Sequence, residues 1–83
     1  MIASADLKPR VEQEVGSALD PDFFDQAEQY ARRKLDLINE RAGRQYGEDG
    51  YGDEYLVALT ADTVQEMAMS AYFTSIWKGA AKT

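Results

Sequence analysis

The stretch Asp20-Pro21-Asp22-Phe23-Phe24-Asp25-Gln26-Ala27-Glu28-Gln29-Tyr30-Ala31-Arg32-Arg33-Lys34-Leu35-Asp36-Leu37-Ile38-Asn39-Glu40-Arg41-Ala42-Gly43 decides the fold class. Asp20 followed by Pro21 is an N-cap with proline at the first helical position, where its missing N–H costs nothing. Asp22 and Asp25 put negative charge at the positive end of the helix dipole. Phe24, Ala27, Ala31, Leu35, Ile38 and Ala42 recur three or four apart and form one face, which Phe23, Tyr30 and Leu37, spaced by seven, widen on one side. Gly43 is the stop. The spacing predicts a helix over 21–42 with one broad burial face.

The segments on either side extend that reading. Upstream, Pro9 through Val15 reads as a short helix, with Pro9 in the first turn and Gly16 as the stop. Leu7, Val11 and Val15 make a narrow apolar stripe, and two turns do not hold alone in water. Downstream, residues 43–54 carry four glycines and four carboxylates against Arg44, which predicts an acidic, solvated and flexible loop. Tyr55-Leu56-Val57-Ala58-Leu59 is compatible with a helical turn, an extended segment or a short strand. A third helix is expected over 61–78, with Thr60 as N-cap, Asp62 in its first turn and Gly79 as stop. Its stretch Met67-Ala68-Met69-Ser70-Ala71-Tyr72-Phe73-Thr74-Ser75-Ile76-Trp77 holds no charge. Val64, Ala68 and Ala71 are expected to meet Phe24, Ala31, Leu35 and Ile38. The expectation is therefore an all-α fold over 1–83: a small helical bundle with a short N-terminal helix, one long helix and one apolar C-terminal helix.

With 83 residues, 45% of them hydrophobic, the chain has room for one small core. It contains no cysteine and no histidine, which excludes a disulfide staple, thiolate chemistry and the usual catalytic triads. The same absence argues against an ordinary structural zinc. Nine basic against fifteen acidic residues give a net charge of −6, a balance that repels phosphate backbones and anionic bilayers. Direct nucleic-acid and membrane binding are not expected. Met1-Ile2-Ala3-Ser4-Ala5-Asp6 lacks the basic start and apolar run of a signal peptide, and a cytoplasmic protein is expected.

Each chemical motif has a plainer reading. The acidic glycine loop does not place carboxylates and glycine at calcium-loop positions. Gly50-Tyr51-Gly52 begins a phosphate-loop pattern, but Tyr55 stands at the third glycine. Arg32, Arg33 and Lys34 fan around a helix, with Glu28–Arg32 an ordinary surface pair. No catalytic, cofactor-binding or metal-binding residue is assigned, and the chain is read as a non-enzyme. The residues assigned to partner binding are Met69, Tyr72, Phe73, Ile76 and Trp77 on the third helix, with Tyr46 and Tyr51 in the loop. Aromatic side chains and methionine suit an interface, and one small chain cannot enclose that helix.

The run from Asp20 to Arg44, followed by Leu59-Thr60, Val64, Ala68, Tyr72-Phe73 and Trp77, resembles the core and closing helices of tailed-phage head–tail connector (adaptor) proteins. The likeness extends over about residues 18–78. The chain departs from that family in having no proline at the start of the closing helix and a short acidic glycine loop. What the resemblance implies is a structural protein that forms a homo-oligomeric ring on the portal, found in the virion or the host cytoplasm, without cofactor or catalysis. Two other classes fit the composition: a small acidic phage-type inhibitor bound to a basic partner, such as a nucleic-acid-processing machine, and a stable subunit of a cytosolic complex. An adaptor needs self-association, whereas an inhibitor needs a basic partner and tolerates a monomer.

Overall fold

A computed structural model describes the backbone of residues 1–81 and the side chains of residues 1–71. The chain forms three helices, α1 (Ser4–Val15), α2 (Pro21–Ala42) and α3 (Asp53–Ala81), and the described residues form no strand. The fold is all-α, as the sequence leads one to expect. The α2 bounds match the reading from caps and periodicity. The Asp20 carboxylate accepts from the Asp22 and Phe23 N–H groups, and Gly43 closes the helix at φ +67°. Gly16 closes α1 in the same left-handed conformation.

Two helices begin earlier than expected. Pro9 lies inside α1 rather than in its first turn. A proline there removes a ladder hydrogen bond and crowds the preceding turn. Fully buried Leu7 holds the early turn in place, aided by contacts that fasten residues 2 and 4 to the rest of the chain. In α3, Asp53 and Glu54 occupy the first turn, and residues 55–59 are helical. Thr60 is accordingly not an N-cap, and Asp62 is mid-helix. Buried Thr60 and Thr63 instead return their hydroxyls to the Leu56 and Leu59 carbonyls at 2.7 Å, which satisfies them without a cap.

The core gathers Leu7 and Val11 from α1, Phe24, Ala27, Ala31 and Leu35 from α2, and Leu56, Val57, Leu59, Ala61 and Val64 from α3. α3 packs on both other helices, and Ser4 of α1 donates to Glu28 of α2. Among the described side chains α3's buried contribution lies between Leu56 and Val64, earlier than expected. Ala68 and Ala71 are exposed and do not meet α2's apolar face. The supposed widening of that face is also corrected: Tyr30 is 54% and Leu37 47% exposed. Ala42 is exposed as well. With α1 and the first half of α3 filling the core, α2 needs to bury only its central stripe.

The connection between α2 and α3 is not the loose tether that its glycines suggest. Asn39, on the buried stripe of α2, donates to the Tyr51 carbonyl at 3.0 Å and accepts from the Tyr51 N–H at 2.9 Å. A Cβ on Gly50 would stand 2.4 Å from the Asn39 Oδ1 and 2.8 Å from the Gln45 carbonyl oxygen, so glycine is required there by space. Gly47 adopts φ +77°. These contacts tie the loop back to α2.

Two changes test this packing. Leu35→Ala should cost about 2–5 kcal/mol through the cavity it opens, seen as a lower urea midpoint with unchanged slope. Asn39→Ala should cost about 1–3 kcal/mol because the Tyr51 backbone groups lose their partners; an unchanged melting temperature would show that the loop does not depend on the clamp.

Candidate functional site

The residues assigned to partner binding fall into two places. Tyr46 and Tyr51 sit at the loop end, where α3 begins. Met69 sits 14 positions beyond Tyr55 on α3, about 21 Å along the helix axis. No single patch unites them.

At the loop end the tyrosines are engaged within the chain. The half-buried Tyr46 packs against the core and its hydroxyl donates to the Asp53 carboxylate. The same carboxylate accepts from the Ile2 N–H at 3.1 Å. Tyr51 remains exposed and stacks on Tyr55, with ring centroids 4.3 Å apart and planes tilted by 33°. An open cleft of about 500 Å³ lies alongside, lined by Met1, Tyr46, Glu48, Asp53, Glu54 and loop glycines. Three carboxylates and a phenol give it acidic character but neither a nucleophile beside a base nor a phosphate cradle. Among the described residues, no group of acidic side chains is arranged to hold a metal ion.

A second polar cluster fastens the N-terminal segment to α2. Glu28 is 5% exposed, accepts from Arg32 Nε at 2.8 Å and from Ser4 Oγ at 2.5 Å, while Arg32 also donates to the Ile2 carbonyl at 2.7 Å. The Glu28–Arg32 pair thus exists as spacing suggests, but it is a largely buried clamp rather than part of a solvated face. Glu28 and Asn39 were the residues that apolar periodicity passed over. Both fall on the stripe that runs through Phe24, Ala31 and Leu35, where a polar residue must find a partner. That placement is the signal that reveals them.

On α3, Met69 is 60% exposed, and Ala68, Ser70 and Ala71 are exposed beside it. The side chains of Tyr72, Phe73, Ile76 and Trp77 lie outside the described residues; their backbone continues the helix. From Val64 to Ala81 the helix runs on for about 25 Å; Met67 still packs against the core, and Ala68 to Ala71 are exposed. No helix is long and apolar enough to cross a membrane among the described residues.

The loop end carries a pH signature. Burial first, then the hydrogen bond to Asp53 and its charge, push the Tyr46 phenol up to about 12 from 10.0. The native state therefore favours the neutral phenol, and this contribution to stability is lost as pH rises from about 10 through about 12. The Tyr46 hydroxyl, followed by the Ile2 N–H, holds the Asp53 carboxyl below its usual 3.8. Its contribution is present above that value and lost as pH falls through the lowered one. A tyrosinate absorbance titration should show a tyrosine ionising near pH 12 that disappears in Tyr46→Phe; an unchanged curve in that variant would place the shifted group elsewhere.

Comparison of the chain with protein-family models, with curated proteins and with solved structures gave no match.

Proposed function

We propose that the chain is a non-enzymatic assembly module of the head–tail adaptor type, which self-associates on a portal-like protein surface in the virion or in the host cytoplasm where virions assemble. The observation that carries this reading is the second half of α3. Past Met67 the described side chains, Ala68, Met69, Ser70 and Ala71, are exposed, and eleven consecutive residues from Met67 to Trp77 bear no charge. An uncharged helical stretch of that length is a liability where a free chain exposes it and an asset where a partner covers it. The fold in this reading is a small bundle whose apolar C-terminal helix serves as a docking arm. Met69, Tyr72, Phe73, Ile76 and Trp77 supply the contact, with Tyr51 as a secondary contact at the other end. The resemblance of residues 18–78 to the adaptor helices supports the same assignment. No cofactor and no direct contact with nucleic acid or lipid enters into it, which accords with the net charge of −6.

The test is the native mass of the purified chain and of Trp77→Ala across a concentration series, with far-ultraviolet circular dichroism on both. Self-association in the wild type, abolished in Trp77→Ala at unchanged helicity, is the expected outcome. An inhibitor of a basic protein would instead remain monomeric and lose only its partner through Trp77→Ala. Unfolding of Trp77→Ala would make that residue part of the core and end the interface reading.

A further inference from the structure

Apart from Met69, the exposed large apolar side chains among the described residues fall into two groups. Tyr30 and Leu37 lie on the outer face of α2; Tyr51 and Tyr55 lie at the loop end, with Met1 lining the cleft beside them. The charges around the two groups are of opposite sign. Surface neighbours on a helix are the residues three and four positions away. For Tyr30 these are Gln26, Ala27, Arg33 and Lys34; for Leu37 they are Arg33, Lys34, Glu40 and Arg41. Three cations thus border the α2 pair against one carboxylate. Among the described residues no ion pair engages Arg33, Lys34 or Arg41. At the loop end the balance is reversed. Glu48, Asp49, Asp53 and Glu54 stand there against Arg10, which pairs with Glu54, and Arg44, whose guanidinium donates to the Asp49 carbonyl.

We propose that the Tyr51–Tyr55 rings of one copy seat on the Tyr30–Leu37 face of α2 in a second copy, with the acidic loop against Arg33, Lys34 and Arg41. This rests on the self-association argued above and names the surface that receives its secondary contact. Charge picks out the occupant. A chain of net charge −6 repels its own copies at long range, so a stable contact between them must oppose unlike charges where the surfaces meet. Asp22, Asp25 and Asp36, the other exposed carboxylates of α2 besides Glu40, have no exposed aromatic ring three or four positions away. The loop end combines carboxylates with a pair of exposed rings, which matches an apolar centre bordered by cations. The rings also suit the cations themselves, because ammonium and guanidinium groups are attracted to a tyrosine face. Beside the rings, the cleft lined by Glu48, Asp53 and Glu54 offers the long side chains of Lys34 and Arg41 a place of opposite charge. Asn39 pairs with both backbone groups of Tyr51, and Tyr51 already stacks on Tyr55, so the contact orders little that is free beforehand. Two different surfaces meet here. Unless two copies exchange them reciprocally, one of each stays open, so the contact propagates and closes as a ring where the rotation allows.

Complementary variants test the pairing. Lys34→Glu with Arg41→Glu spoils the α2 face and leaves the loop end intact; Glu48→Lys with Tyr51→Ala does the reverse. Each double variant should weaken self-association at least about tenfold at unchanged helicity, read as native mass against concentration. An equimolar mixture of the two restores one sound surface of each kind, and should show a larger mass than either variant alone at the same total concentration. Arg41→Gln and Glu48→Gln, which remove charge without reversing it, should weaken assembly in the same direction to a smaller degree, and they decide the matter if a reversal unfolds the chain. If Trp77→Ala dissociates the chain while these variants have no effect, or if the mixture recovers nothing, the two surfaces are not partners and this contact is wrong, although the arm reading stands. A wild type that stays monomeric throughout would overturn both.

Discussion

The clamp between Asn39 and Tyr51 is the constraint on which the arrangement of this molecule depends. By pairing with both backbone groups of Tyr51, the amide imitates one rung of a strand ladder between a helix and the loop leaving it. This fixes where the chain stops wandering and α3 begins, two residues later at Asp53. Once α3 starts there, Leu56, Val57, Leu59, Thr60 and Val64 fall against α1 and α2. A helix starting only at Thr60 would have left Leu56, Val57 and Leu59, all core residues, outside it. The position of one buried amide thus bears on which turns of α3 reach the core.

The N-terminal segment is held by the same economy of polar groups. Ile2 donates to Asp53 at the head of α3 and accepts from Arg32 on α2, so a short extended piece of chain bridges two helices through its own backbone. Glu28, nearly excluded from solvent, is tolerable there because Arg32 and Ser4 both donate to it. Such charge-assisted bonds are the strong ones when partly shielded from water. In a domain without disulfides they supply part of the cross-linking that a small apolar core does not.

What the sequence made legible follows from which forces are local. α2 is specified by its own caps, its proline and its period, so its ends are readable from neighbouring residues. The start of α3 is set by Asn39, separated from Tyr51 by twelve positions, and no local signal at Thr60 competes with that. The helix over 55–59 was hidden for a related reason, because a short apolar run has no period of its own until its partners are known. Among the residues assigned to binding, the exposure of Met69 is consistent with its assignment, whereas Tyr46 is absorbed by Asp53 and the core. A tyrosine in a glycine-rich loop looks the same in sequence whether it awaits a partner or has already found one inside the chain.

In the proposed assembly the later turns of α3 serve as a docking arm, and the described side chains there, Ala68 to Ala71, are exposed, so this turn persists without burial of its own. Nucleation is the costly step in helix formation, and propagation from an existing turn costs little. The packed segment from Leu56 to Val64 provides the nucleus, and Met67, Ala68, Met69 and Ala71 are good helix formers. The exposed turn from Ala68 to Ala71 therefore inherits its order from the core. An arm ordered before contact surrenders less conformational freedom on docking, so more of the apolar area that it buries is realised as affinity. On the proposed reading, packing inside the chain and recognition outside it are successive lengths of one continuous helix.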